Sequence, residues 1–290
     1  MNTLPLAFRE LWRTGTGLLI STLLLSSPLR GHAADPSEAR VQLADVPEAA
    51  RKAIQTKAGD ARLGEIRRYI EDGETSYDVE LLLGNQIRSF SVDDAGQVLE
   101  EEITLAEAPP PVQKAIRAHL RKGQLEEIDR ANDEGEITYV VTFTLNGQER
   151  DFTLDGAGRL LETQVFLPEL SAALQAAITK AAGVGVLGDI YKTFDDGEVF
   201  YEVDITDHGK TRTVTFDPDG APVDEAEPVA FGDAPALVQQ ALNARRRSGA
   251  RLLGLDKVTE DGEVTFEAEV LDAGKHRPLS LRPDGTPRAE

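Results

Sequence analysis

The sequence predicts an α+β protein of four tandem small domains, each one helix packed on a four-stranded antiparallel sheet. Three recurrences predict it. An acidic residue followed by Gly-Glu occurs at Asp72-Gly73-Glu74, Glu134-Gly135-Glu136, Asp196-Gly197-Glu198 and Asp261-Gly262-Glu263, in steps of 62, 62 and 65 residues. A second glycine turn ends at Gly96, Gly158, Gly220 and Gly285, and an apolar landmark falls at Ile54, Ile116, Ile178 and Leu242. Repetition at a fixed period reduces the chain to one supersecondary unit solved four times. The copies are bounded at 41–102, 103–164, 165–228 and 229–290, after a leader over 1–33.

In each copy a helix comes first. Asp45, Glu107, Glu169 and Asp233 precede the helical pattern, with Pro47, Pro109 and Pro235 near its first turn. An acid there is expected to accept from free backbone N–H groups, and proline has no N–H to waste. Val46, Ala49, Ala50, Ala53 and Ile54, or Val112, Ala115 and Ile116, set an apolar stripe. Gly59, Gly123, Gly183 and Gly249 are the expected stops. The basic runs before them, such as Arg245-Arg246-Arg247, suit the negative end of the helix dipole.

The period then changes to two. Tyr77, Val79 and Leu81 alternate with Ser76, Asp78 and Glu80, and Tyr139, Val141 and Phe143 alternate with Thr138, Val140 and Thr142. Hairpins turning at Gly84-Asn85 and Asn146-Gly147 would set Val79 opposite Phe90 and Val141 opposite Phe152, putting the apolar set on one face. The third copy is expected to set Val203 opposite Val214 across a longer loop. The last glycine turn leads into a fourth strand containing Leu99, Leu161 or Val223. Few residues join one copy to the next, such as the connector Leu99-Glu100-Glu101-Glu102-Ile103-Thr104-Leu105, which lacks Gly, Pro and Ser and so predicts a rigid string of domains. Flexible beads are the alternative, with Pro109-Pro110-Pro111 as a joint or a stiff spacer.

Residues 1–33 are of another class. Arg9 and Arg13 precede the apolar run Leu18–Leu25, and small residues surround Ala33, the pattern of a cleaved secretory leader. A membrane anchor is the rival, but the run falls short of the ~20 apolar residues a span needs. No membrane span is expected after leader removal, and the localisation expected is periplasmic or secreted. The chain has no cysteine, so disulfides cannot hold small exported domains together. Its net charge of −20 becomes about −22 without the leader, which disfavours nucleic acid as a partner.

A helix, a hairpin with Asp-Gly-Glu, a tyrosine strand and a closing strand of the Phe-Thr-Leu-Asp-Gly-Ala-Gly type together resemble the PepSY-like domains, grouped with the beta-lactamase-inhibitor-like family. The matching stretches run from Val46 to Ile54, Asp72 to Val79 and Phe90 to Leu99, with equivalents in the other copies. The resemblance implies an exported binding or inhibitory module without chemistry of its own, and no functional residue is carried over from it.

The residues themselves point the same way. His119, His208 and His276 stand at unrelated positions, so no catalytic triad or zinc set is expected, and no cofactor. Asp93-Asp94, Asp155 and Asp217-Pro218-Asp219 lack EF-hand spacing and read as turn chemistry. Arg88, Arg150, Arg212 and Arg277 recur at one strand position, opposite Leu81, Phe143, Ile205 and Val270. They are expected to cover the rim of the core, or to present guanidinium groups to a partner's carboxylates. The sheet face away from the helix is the candidate partner surface, carrying Asp78, Glu80, Thr138, Val140, Thr142, Glu202, Asp204, Thr265, Glu267 and Glu269. A protein partner, basic or a peptidase, is the first expectation. A structural spacer of the envelope and an acidic cation buffer are the alternatives.

Overall fold

The computed structural model describes residues 37–71, 74–84, 86–133, 135–195, 197–247, 249–260, 262–272 and 275–288. The leader and the turn residues Asp72, Gly73, Asn85, Glu134, Asp196 and Asp261 lie outside them. The chain forms two compact units, residues 34–169 with 190–199, and residues 170–189 with 200–290.

In the first unit the elements are β1 (Ser37–Arg40), α1 (Glu48–Ala58), β2 (Arg62–Glu71), β3 (Glu74–Leu83), β4 (Gln86–Asp93) and β5 (Val98–Glu102). They are followed by α2 (Pro110–Leu120), β6 (Gln124–Asp133), β7 (Glu136–Leu145), β8 (Gln148–Asp155) and β9 (Leu160–Gln164). The later part of β10 (Val186–Asp195) closes this unit. The second unit holds α3 (Ala172–Ala182), most of β11 (Glu198–Asp207), β12 (Lys210–Phe216), β13 (Pro222–Pro228), α4 (Ala236–Arg247), β14 (Arg251–Glu260), β15 (Glu263–Asp272) and β16 (Lys275–Leu281). Within each unit the strands pair antiparallel in chain order.

The hairpin registers are those the alternation dictates. Val79 pairs with Phe90, Val141 with Phe152 and Val203 with Val214. The four recurrent arginines pair with Leu81, Phe143, Ile205 and Val270. The third hairpin needs no longer loop: Asp207 pairs with Lys210 across His208-Gly209, at φ of 51° and 77°, as Leu145 pairs with Gln148 across Asn146-Gly147. Both central residues of such a two-residue turn take positive φ, and histidine fills the place of asparagine.

The helices α1, α2 and α4 each lay their stripe on one sheet face. Ala50 and Ile54 pack with Ile66, Tyr77, Val79, Phe90 and Val92. Val112 and Ile116 pack with Ile128, Val141, Phe152 and Leu154. In the second unit Val238 and Leu242 pack with Leu255, Phe266, Ala268 and Leu281. The glycine turn after the third strand seats against the first turn of the helix. A Cβ on Gly158, at φ 79°, would lie 2.7 Å from the Pro111 carbonyl oxygen, and one on Gly96 equally close to that of Ala49. Only glycine suits both the conformation and the space there.

The seams between copies differ from the expected separate sheets. Glu100–Glu102 of β5 pair with Ala131–Asp129 of β6, β9 pairs with β10, and β13 with β14. Beyond each closing strand the next amide crosses the seam: Ile103 N–H donates to Ile128 O, Val165 to Ile190 O and Val229 to Leu255 O, at 2.8–2.9 Å. A five-residue strand has two edges, and each unpaired edge leaves backbone groups unsatisfied, so the next copy supplies the missing partner. β1 stands to β2 as β5 does to β6. In the last copy the fourth strand is reduced, among the described residues, to a bridge between Leu281 and Pro287.

Helix ends also differ in detail. Pro109 is the N-cap of α2 and Pro110 its first residue, so the triple proline is a helix start, not a joint. Glu107 sits before that cap and closes a preceding turn, accepting from Thr104 N–H at 2.7 Å. Glu169 does the same for Phe166 N–H at 3.1 Å, while Ser171 caps α3. Gly59 and Gly183 end their helices as expected, but α2 ends on Arg121 at φ 53° and ψ −101°. A side chain is strained in that region, typically by about 1–3 kcal/mol. Arg121→Gly is therefore expected to raise stability by about 1 kcal/mol, read by chemical denaturation.

Candidate functional site

In the first unit, the side chains that alternate with the core line the opposite sheet face, on which neither α1 nor α2 packs. The registers set them in transverse rows. One runs Arg67, Asp78, Ser91, Glu100, Ala131, Thr138. The next runs Glu102, Asp129, Val140, Thr153, Glu162, and beside it lie Glu127 and Thr142. Strands ~4.8 Å apart therefore bring carboxylates of β3, β5 and β6 into one patch.

These acids are not the freely solvated groups the sequence suggests. Burial pushes the Asp78 carboxyl up to about 6, with Arg67 opposing and Glu38 reinforcing the shift. Asp129 is raised to about 8, by burial first and then by Glu127, Glu100 and Glu102. Glu100 and Glu127 shift upward for the same two reasons. Desolvation and like charge both favour the protonated form.

A stability consequence follows with a definite sign. The folded protein keeps a proton on Asp129 between its ordinary value near 3.8 and about 8, whereas the unfolded chain loses it near 3.8. Stability therefore falls as pH rises through that window and levels off above it. Asp129→Asn is expected to match the parent at pH 4. At pH 8 it should exceed it by more than about 1.4 kcal/mol, the free energy of one decade in protonation equilibrium. Urea denaturation at both pH values measures the difference.

Of the other residues on the expected surface, Thr138, Val140 and Thr142 are half-buried in the rows described. Glu80 is used locally, its Oε2 accepting from Glu65 N–H in the bulge of β2 at 3.1 Å. In the second unit Asp204 accepts from the Thr213 hydroxyl at 2.7 Å, and Glu267 is half-buried with its pKa raised by burial and then by Asp224. Glu202 and Glu269 are 1% and 5% exposed, and Thr265 is 3% exposed. An alternation pattern assigns a face but not its accessibility, and these three positions offer a partner almost no surface.

Three of the recurrent arginines are engaged within the chain. Arg88 donates to both carboxylate oxygens of Glu107 at 3.0 and 3.2 Å. Arg150 makes a two-pronged pair with Glu169 at 2.6 and 3.0 Å and lies 4.6 Å from the centre of the Phe166 ring. Each joins the third strand of one copy to the turn that opens the next. Arg212 instead donates to Ala181 O at 2.8 Å, with Glu225 3.6 Å away. Asp233, the acid equivalent to Glu107, is one methylene shorter. Arg277 holds the same register position opposite Val270.

Sequence reasoning missed Glu100, Glu101, Glu102, Glu127 and Asp129, having read the first three as a connector. Glu101 points to the helix side, almost wholly buried, and pairs with Lys57 of α1 and Arg130 of β6. The turn aspartates act as expected: Asp155 Oδ1 accepts from the Ala157 and Arg159 amides, and Asp217 Oδ1 from those of Asp219 and Ala221. His119 lies near Phe152, with ring centres 5.4 Å apart, and burial lowers its pKa. His208 sits in its hairpin turn beside Asp207. Among the described residues no helix is long and apolar enough to cross a membrane.

No protein-family model matches the sequence, and no curated protein matches it. Among solved structures the chain is similar to a DUF2874 family protein from Bacteroides uniformis ATCC 8492, at 21% identity and a TM-score of 0.35 over 40% of this chain and 85% of that one. It is similar to a protein of Bacteroides eggerthii DSM 20697 provisionally named as periplasmic, at 20% and 0.36 over 41% and 85%. It is also similar to a BLIP-like protein from Bacteroides fragilis NCTC 9343, at 18% and 0.34 over 41% and 84%. At these identities and TM-scores the likeness carries no weight for either fold or function.

Proposed function

We propose that this is an exported, non-enzymatic binding protein of four tandem PepSY-like, beta-lactamase-inhibitor-like copies, which takes a basic protein partner on the helix-free sheet face of its first unit. A peptidase is the partner class we favour, with inhibition as the consequence. The observation that carries the reading is the convergence of Asp78, Glu100, Glu102, Glu127 and Asp129 from three strands, where burial raises the pKa of Asp78, Glu100, Glu127 and Asp129 and repulsion within the group adds to the rise at the last three. A lysine- or arginine-rich surface would relieve that repulsion and bind in a salt-dependent way. Export is supported by the leader pattern in residues 1–33.

The test is affinity capture from an envelope extract, with residues 34–290 as bait. A basic protein retained at low salt, released at high salt and lost on Asp78→Lys with Asp129→Lys supports the reading. An empty bait, or retention indifferent to those changes, opposes it. A second reading, a spacer of the envelope, is favoured by the Arg88–Glu107 and Arg150–Glu169 ties, which hold successive copies together. It expects the charge reversals to leave every interaction of the protein unchanged.

A further inference from the structure

Where β5 leaves the sheet after Glu102, the start of β4 and the start of β6 stay apart and leave an open depression of about 350 Å³. Gln86, Ile87 and Arg88 form one side and Leu125, Glu126 and Glu127 the other, with Ile103 and Leu105 between. Ile87 is 59% exposed, a large apolar side chain on a strand with no core to enter. β4 pairs with β5 only from Phe90 onward, so among the described residues the edge of β4 before Phe90 lacks a strand partner on that side.

The part of this depression formed by β5, the segment after it and β6 has a counterpart 62 residues earlier in the first copy. Arg40, Val41, Leu43, Leu63, Glu65 and Ile66 line it, at the positions of Glu102, Ile103, Leu105, Leu125, Glu127 and Ile128. There the Arg40 guanidinium lies on the Glu65 carboxylate, Nε 2.6 Å from Oε1 and Nη2 2.5 Å from Oε2. In the second copy both positions are glutamates. Glu102 accepts from Ser89 N–H, at 3.3 Å, and among the described residues no cation pairs with Glu127. The two sites titrate in opposite senses: Arg67 and Arg40 lower Glu65, while burial, then Glu102 and Glu149, raise Glu127.

We propose that this groove binds an extended, arginine-bearing peptide segment, its guanidinium seated between Glu102 and Glu127 where Arg40 sits on Glu65 in the first copy, and an adjacent apolar side chain resting on Ile87, Leu105 and Leu125. The inference deepens the proposed function, on which it rests for the basic character of the partner. An extended segment suits the site because the free strand edge supplies backbone hydrogen bonds while the pockets select side chains.

The test is fluorescence anisotropy with a labelled hexapeptide of alternating arginine and valine and residues 34–290 at low ionic strength. Glu102→Arg imports the pairing of the first copy, so it should fill the groove from within, weaken binding at least about tenfold and leave thermal unfolding unchanged. Ile87→Ser is expected to weaken binding several-fold. Absence of binding by the parent, or undiminished binding by Glu102→Arg and Ile87→Ser, overturns the inference. Loss of binding on Asp78→Asn alone also overturns it, yet leaves the proposed function standing, because the peptide would then occupy the open face.

Discussion

Replacing Lys57 and Arg130 together by methionine is expected to destabilise the protein by about 3–5 kcal/mol, the usual cost of leaving a buried charge uncompensated. Both cations reach Glu101, whose side chain is only 6% exposed on the helix side of β5. Methionine keeps much of the volume of each side chain, so the loss isolates charge from packing. Adding Glu101→Gln to the pair should recover a large part of the loss, since a neutral amide carries a far smaller desolvation penalty. Chemical denaturation of the parent, the double and the triple variant measures this. By contrast the Arg88–Glu107 and Arg150–Glu169 pairs have glutamates about half exposed, and such pairs contribute roughly 0–1 kcal/mol each. They fix the direction in which the next copy starts more than they hold the fold.

Phe152→Ala is expected to cost about 3–5 kcal/mol, through lost burial and the cavity left behind. Phe152 is 1% exposed, lies edge-on to Phe143 with ring centres 5.6 Å apart, and belongs to the cluster that Val112 and Ile116 complete from α2. The exposed Ile87 serves as a control, since Ile87→Ala should stay within about 0.5 kcal/mol. Thermal or urea unfolding distinguishes the two. A cost for Phe152→Ala no larger than that of a surface change would mean that α2 does not pack on β7 and β8.

Much of this fold is legible in the sequence because period-two alternation fixes hairpin register. Val79 opposite Phe90 and Arg150 opposite Phe143 follow from the pattern alone, since a slip by one residue would turn every apolar side chain outward. The seams are not legible in the same way. Glu100-Glu101-Glu102 reads as a polar connector, and nothing local reveals that its middle residue turns inward to Lys57 and Arg130 while its neighbours join the acidic face. The signal that could have shown it is the step of 62 residues. It aligns β1 with β5 and places Arg40 over Glu102, so the copies can be compared position by position across the seam. Accessibility is the least legible property, as the burial of Glu202 and Glu269 shows, because alternation names the face and says nothing of what surrounds it.

The acidic face and the groove both depend on neighbouring copies sharing one hydrogen-bonded sheet within a unit. Amide hydrogen exchange at Ile103, Val165 and Val229 tests this most directly, because each donates across a seam to Ile128, Ile190 or Leu255. The structure predicts that these three amides are protected as strongly as those of the core strands, such as Val141 in β7. Exchange at the rate of an open linker, with Val141 still protected, would contradict it and leave separate domains on a string.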